Sequence, residues 1–197
     1  MGAGTEIGIY LIQNLGSLFL GLMILRGMLH ASRVNFYNPI SQMVVRLTHP
    51  VLAPLRGVLP ARGRLDWAVW ILAVIIQVLI LIGIAMLAGD TWALPNPFTL
   101  IAWGVIGVLG LLSNLYFFVL IAMIVVSWVA PGSRHPAMEL IWQLSEPVMA
   151  PFRRLLPNMG GIDFSPILVF IGLNVLQIAL RHLALSTGLP LGLVLGI

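Results

Sequence analysis

The chain of 197 residues has no cysteine and no lysine, and Asp, Glu, Lys and Arg together make up only 8% of it. Without cysteine, disulfides, thiolate metal sites, iron–sulfur clusters and covalent haem attachment are excluded. The scarcity of charge decides the class. A soluble domain carries about 25% charged residues because its surface faces water, whereas here 60% of residues are hydrophobic. Most of the surface must face hydrocarbon.

Catalytic signatures are equally scarce. His30, His49, His135 and His182 are scattered, and no pair has the i, i+4 spacing of a helical metal site. No glycine-rich phosphate loop follows a strand, and no nucleophile elbow occurs. The chain is therefore expected to be non-enzymatic, with no catalytic residue, metal or cofactor. The opening MGAGTEIGIY carries Glu6 where a signal peptide would have a positive region, so the first apolar segment is expected to be retained.

Spanning a bilayer takes about 20 predominantly apolar residues. Four stretches qualify, at about 7–29, 67–88, 100–130 and 164–185. These predict an all-α, polytopic membrane protein. Gly104, Gly107 and Gly110 in the long third stretch are read as packing positions, since glycine is common in membrane helices.

All ten basic residues are arginines, and they are unevenly placed. Arg33, Arg46, Arg56, Arg62 and Arg64 fall between the first two spans, and Arg134, Arg153 and Arg154 between the last two. The segment 89–99 has Asp90 and no basic residue, and the tail after Leu185 has no charge. Arginine excess marks the cytoplasmic side. Both connections are thus expected inside a bacterial inner membrane and both termini in the periplasm, with Arg26 near the inner end of the first span. Arg181 alone runs against the trend and is expected to snorkel outward. Dispersed arginines argue against direct nucleic-acid binding and for contact with anionic lipid headgroups.

An internal repeat organises the chain. At an offset of 97 residues, LTHPVLAPLRGVLPARGRLD (47–66) aligns with LSEPVMAPFRRLLPNMGGID (144–163). Identical pairs are Leu47/Leu144, Pro50/Pro147, Val51/Val148, Ala53/Ala150, Pro54/Pro151, Arg56/Arg153, Leu59/Leu156, Pro60/Pro157, Gly63/Gly160 and Asp66/Asp163. Each unit reads as helix, amphipathic connection, helix. Two spans separate equivalent points, so the units run parallel. The first repeat is placed at 1–88 with its connection at 38–64, an outer connection at 89–99, and the second repeat at 100–197 with its connection at 135–161.

Within the first connection, Asn38 suits an N-cap and Pro39 a first helical position. Ile40, Met43, Val44 and Leu47 then recur at helical spacing, with Gln42, Arg46 and Thr48 off that face. In the second, Ala137, Leu140, Ile141 and Leu144 take the same frame opposite Glu139, Gln143 and Ser145. Such short helices are expected to lie in the interface or against the bundle. The three following prolines are expected to break the path into short segments. Gly63 and Gly160 are expected to turn the chain, and Asp66 and Asp163 to cap the next span. Arg56 and Arg153 are read either as sites for lipid headgroups or a partner, or as partners of freed carbonyls or of Asp66 and Asp163.

Within the spans, Gln13 and Ser17 share one face, as do Asn174, Gln177 and Arg181 on another helix, and the offset pairs Ser17 with Asn114 and Gln77 with Asn174. Interhelical hydrogen bonding in a bundle interior is the favoured reading; the alternative is a polar path for an ion. No Asp or Glu occupies the middle of any span, which argues against a proton-coupled transporter.

The double block, above all PFRRLLPNMGGIDFSP (151–166) together with FYNPISQ (36–42), resembles the bacterial YggT family over nearly the whole chain. The first copy departs from the pattern, with Arg62, Arg64 and Leu65 where the second has Met159, Gly161 and Ile162. The resemblance implies support of osmotic tolerance and potassium uptake. A second implication, from plastid relatives, is an assembly factor for cytochrome complexes; the duplicated amphipathic connections themselves suit a scaffold that docks a protein partner, and a homo-oligomer is the other partner expected. A third is a role in nucleoid distribution or division. It assigns no catalytic role, so Pro50, Pro54, Arg56, Pro60, Gly63 and Asp66, with Pro147, Pro151, Arg153, Arg154, Pro157, Gly160 and Asp163, stand as signature positions.

Overall fold

A computed structural model describes residues 2–59, 63, 65–89, 95–130, 132–133, 135–155 and 163–189. Six helices order these residues: α1 (Ala3–Ala31), α2 (Pro39–Arg56), α3 (Trp67–Ala88), α4 (Pro97–Val129), α5 (Pro136–Leu155) and α6 (Ser165–Ser186). Helices α1, α3, α4 and α6 are long and apolar enough to cross a membrane, and they match the four expected spans to within a few residues. The all-helical, two-repeat architecture is as the sequence indicates. Pro60, Arg62, Arg64, Asp90, Arg134, Pro157, Met159, Gly160, Gly161 and Ile162 lie outside the described residues.

The spans form a layer in which α1 packs on α3, α3 on α4 and α4 on α6, while α1 also touches α4. The hydrophobic effect does not drive these contacts, because lipid tails are as apolar as leucine; close packing does. Two glycines set the spacing. A Cβ at Gly16 of α1 would lie 2.7 Å from Ile80 Cγ1 of α3, and one at Gly104 of α4 would lie 2.8 Å from Val78 Cγ2 and 3.2 Å from the Val74 carbonyl oxygen. Gly104, Gly107 and Gly110 are all buried, in keeping with a packing role. Four interior clusters follow among the described residues: Leu20, Ile24 and Met28 with Ala73 and Val108; Met23 and Leu52 with Val69; Leu120 and Met123 with Met149 and Val169; and Leu81 and Ile106 with Trp103 and Ala184.

Helices α2 and α5 lie across the ends of the spans. Asn38 caps α2, its side chain accepting from the Ile40 N–H at 3.0 Å, and Pro39 takes the first turn. Two expectations need correction. Neither helix is broken at its prolines: α2 continues through Pro50 and Pro54, and α5 through Pro147 and Pro151. All four prolines are exposed and stand four residues apart on one face. The carbonyls they leave without an N–H donor, starting with Arg46 and Pro50, can be solvated there, which removes most of the usual penalty. The buried face of α2 is also rotated from the expected one. Ser41, Val44, Thr48 and Leu52 are buried, whereas Met43 and Leu47 are exposed. On α5 the buried set is Leu140, Leu144, Ser145 and Met149. Thr48 and Ser145 go inward because each hydroxyl donates to its own helix, to Val44 O at 2.7 Å and Trp142 O at 3.0 Å. A small hydroxyl residue so satisfied allows close approach.

The glycine contacts generate a paired prediction. Gly104→Ala should lower stability by about 1–3 kcal/mol through overpacking. Gly21→Ala, where an added Cβ meets nothing within 4 Å, should be neutral or raise it by up to about 1 kcal/mol through helix propensity. Thermal unfolding of the detergent-solubilised variants measures both.

Candidate functional site: two arginine elbows at one end of the bundle

The two connections end in equivalent places and are held differently. In the first repeat the Arg56 guanidinium donates to Asp66 Oδ2. Asp66 precedes α3 and is 1% exposed; its side chain makes no capping hydrogen bond, so it serves as the anchor of Arg56 rather than the expected cap. Arg26, one turn before the end of α1 and 5% exposed, reaches into the same region. Its Nη1 donates to Thr48 Oγ1 at 2.8 Å and to Val45 O at 3.2 Å. Arg26 thereby clamps α2 across the end of α1. Gly63 takes a left-handed φ of +66° between α2 and α3, which suits glycine at this turn.

In the second repeat Arg153 Nε donates to Asp163 Oδ2 at 3.0 Å and Nη1 to Glu146 Oε2 at 2.7 Å. This cluster is exposed. Asp163 Oδ1 accepts the Ser165 N–H at 2.9 Å, a local cap just before α6. Contact with Ser165, then with Arg153, holds the Asp163 carboxyl below the ordinary aspartate range against the opposing effect of burial. Burial acts to lower Arg153, but its two carboxylate partners outweigh that and raise it. Position 26 of the first repeat corresponds to Met123 in the second, and the described arginines of the second connection, Arg153 and Arg154, are exposed.

The elbows meet. Helices α2 and α5 are in contact, and Asn38 Nδ2 donates to Pro136 O at 2.7 Å, while the Asn35 N–H donates to Gln143 Oε1 at 3.2 Å. Both repeats thus contribute to one platform on the arginine-bearing side. Beside it lies an open groove of about 510 Å³ lined by Arg33, Gln143, Glu146, Pro147, Pro151 and Arg154 among others.

The polar residues of the spans fall apart into separate groups. Gln177 Nε2 of α6 donates to Asn114 Oδ1 of α4 at 2.7 Å, and Gln77 is buried. Gln13 and Ser17 are half-buried. Asn174, expected in the interior, is exposed on α6, where its Nδ2 donates to Phe170 O of its own helix; Arg181, expected to reach outward, is exposed as well. The reason is that α6 packs on α4 and α5 and leaves its far side open. Sequence reasoning missed Arg26, which it treated as an orientation marker, and Asn14, which is exposed and donates to Tyr10 O. Burial of Arg26 depends on Thr48, 22 residues away, and no local pattern announces it. Among the described residues no three His, Cys, Asp or Glu side chains gather to hold a metal ion.

Four apolar spans, a duplication and an amphipathic cross-helix in each half define a polytopic helical membrane protein. The CCB3/YggT family pattern matches residues 5–87 and again 102–184, and the chain belongs to that family. It is 44% identical over 183 residues to the protein PA0392 of Pseudomonas aeruginosa, covering 92% of each chain. It is 35% identical over 182 residues to YggT of Escherichia coli K12, covering 91% of this chain and 92% of that one. A Haemophilus influenzae protein is 38% identical over 165 residues, 84% of each. All three relatives carry names describing them as uncharacterized. No solved structure matches.

The unequal burial of the elbows predicts unequal mutational costs. Arg56→Ala leaves the buried Asp66 carboxylate without its cation and should cost toward the lower end of about 3–5 kcal/mol, since Arg56 itself is one-third exposed. Arg153→Ala breaks an exposed cluster and should cost about 0.2–1 kcal/mol. Denaturation in detergent distinguishes them. The second elbow should also weaken in acid. Its depressed carboxyl lends its stabilisation fully above the ordinary aspartate value of about 4 and loses it as pH falls through the lower folded value.

Proposed function

We propose that this is a non-enzymatic inner-membrane protein that supports tolerance of osmotic stress, and that it promotes potassium uptake by docking a partner rather than by conducting ions itself. The observation that carries this reading is the platform made jointly by α2 and α5, with its open groove on the arginine-bearing side. Two interfacial helices bridged across the repeats exceed what is needed to tether four spans. Conduction by the chain alone would need a continuous polar path. Here the Asn114–Gln177 pair is closed on itself, Asn174 is turned to its own backbone, and Glu6 in the first turn of α1 is the sole acidic residue of the four spans. The osmotic and potassium role comes from the family resemblance.

Purified protein in proteoliposomes should move no more potassium than empty vesicles, whereas crosslinkers placed at Glu139 or Met43 in intact membranes should recover a protein partner. Potassium flux by the protein alone, or recovery of lipid only, overturns the reading.

The arginine bias supports both connections being cytoplasmic and both termini periplasmic. Tags inserted at Gly63 and Ser133 should both report from the cytoplasm, and tags at either terminus from the periplasm. Opposite faces for Gly63 and Ser133 would contradict the parallel repeat itself.

A further inference from the structure

The first elbow encloses a cavity of about 190 Å³ whose lining includes Arg26, His30, Ser41, His49, Arg56 and Asp66. This is below the about 300–1,000 Å³ of pockets for drug-sized ligands and suits a compact polar group. Exposed Phe36 and His49 also line it, which places its mouth at the surface near the start and middle of α2.

Its walls carry unused hydrogen-bonding capacity. His30 Nε2, Ser41 Oγ, Arg56 Nε and Asp66 Oδ1 are all buried and make no hydrogen bond within the protein. Among the described residues eight buried side-chain atoms are in that condition (the others belong to Ser32, Trp70, Ser113 and Ser165), and four of them line this one cavity. Buried polar atoms are otherwise nearly always paired, so such a concentration marks a place built around something.

The duplication supplies a control. At the offset of 97, Arg26 corresponds to Met123, Ser41 to Met138 and His49 to Glu146, while Arg56 and Asp66 keep their counterparts Arg153 and Asp163. In the second repeat Glu146 occupies Arg153. The conserved arginine–aspartate elbow therefore does not by itself require Arg26 or Ser41. What the first repeat adds is a buried cation and a hydroxyl around the opening.

Charge and donor count identify the occupant. Arg26 and Arg56 against Asp66 leave one net positive charge, which a single phosphodiester anion balances. The Arg56 Nε–H is a donor, and Ser41 and His30 can donate, all suited to phosphate oxygens. Asp66 Oδ1 is an acceptor that a phosphate oxygen would repel, so the occupant must also bring an O–H donor. The site lies at the end of α1, where the span meets interfacial α2, at the depth of lipid headgroups. We propose that this cavity binds a phosphate group bearing a hydroxyl donor, of the phosphoglycerol type, supplied by a lipid headgroup or by soluble phosphate. The proposal is independent of the potassium reading and is tested on purified protein without any partner.

The full chain in detergent is titrated with phosphatidylglycerol, phosphatidylcholine and inorganic phosphate, and binding is read by native mass spectrometry and by thermal shift. Phosphatidylglycerol should bind at least about fivefold more tightly than phosphatidylcholine, whose headgroup has no N–H or O–H donor for Asp66. Competition by inorganic phosphate would assign the site to soluble phosphate, and its failure to compete would assign it to lipid. Arg26→Met, which installs the side chain found at the matching position of the second repeat, should weaken binding about tenfold or more. Ser41→Ala removes only an unpaired hydroxyl, so it should fold normally and weaken binding severalfold; it carries the test if Arg26→Met does not fold. Arg46→Gln removes an exposed arginine of α2 outside the cavity and should change nothing. Equal binding of the two lipids, unchanged binding in Ser41→Ala, or a loss in Arg46→Gln as large as in Ser41→Ala overturns the proposal, the last by reducing it to diffuse attraction of charge.

Discussion

A hydrocarbon solvent supplies no hydrogen bonds and does not tolerate uncompensated charge, and that constraint shapes every part of this chain. The spans satisfy their own backbones as helices. Stray amides inside them turn to a carbonyl of their own helix, as at Asn14 and Asn174, or to one another, as at Asn114 and Gln177. Eight of the ten arginines fall in the two connections. The exceptions are Arg26, which is buried against Thr48, and Arg181, which is exposed toward the far end of α6. With no hydrophobic force between helices, adhesion depends on close approach, and Gly16 and Gly104 provide it.

The elbows show how one motif serves two settings. Arginine and aspartate stand ten residues apart in both repeats and pair in both. In the first, Asp66 is sealed beneath α2 beside Arg26; in the second, Asp163 stays exposed, and Glu146 joins Arg153. The first copy carries Arg26, Ser41 and His49 where the second has Met123, Met138 and Glu146, and it is the first that holds the cavity.

Much of this was legible in the sequence because its signals are long or duplicated. Twenty-residue apolar runs fixed the spans, and the offset of 97 fixed the repeat. What was hidden depended on the environment of single faces. Prolines end helices when the freed carbonyl is buried, but Pro50, Pro54, Pro147 and Pro151 are exposed, so α2 and α5 run on. Hydrophobicity placed Met43 and Leu47 inward, but hydroxyls bonded to their own helices let Thr48 and Ser145 approach the bundle more closely. Arg26 is indistinguishable by pattern from an arginine that merely marks the boundary; a contact between helices 22 residues apart gives it a different role.

The paired prolines have a consequence for how deep the protein sits. Each interfacial helix exposes a ridge with no amide hydrogen to offer, together with carbonyl oxygens that want water. A helix of this kind cannot sink into the acyl chains without stranding those oxygens, nor lift away without uncovering Val44 and Leu52 or Leu144 and Met149. Two such ridges, one in each half, set a common limit on how far α2 and α5 can enter an apolar phase before a carbonyl is left without a donor.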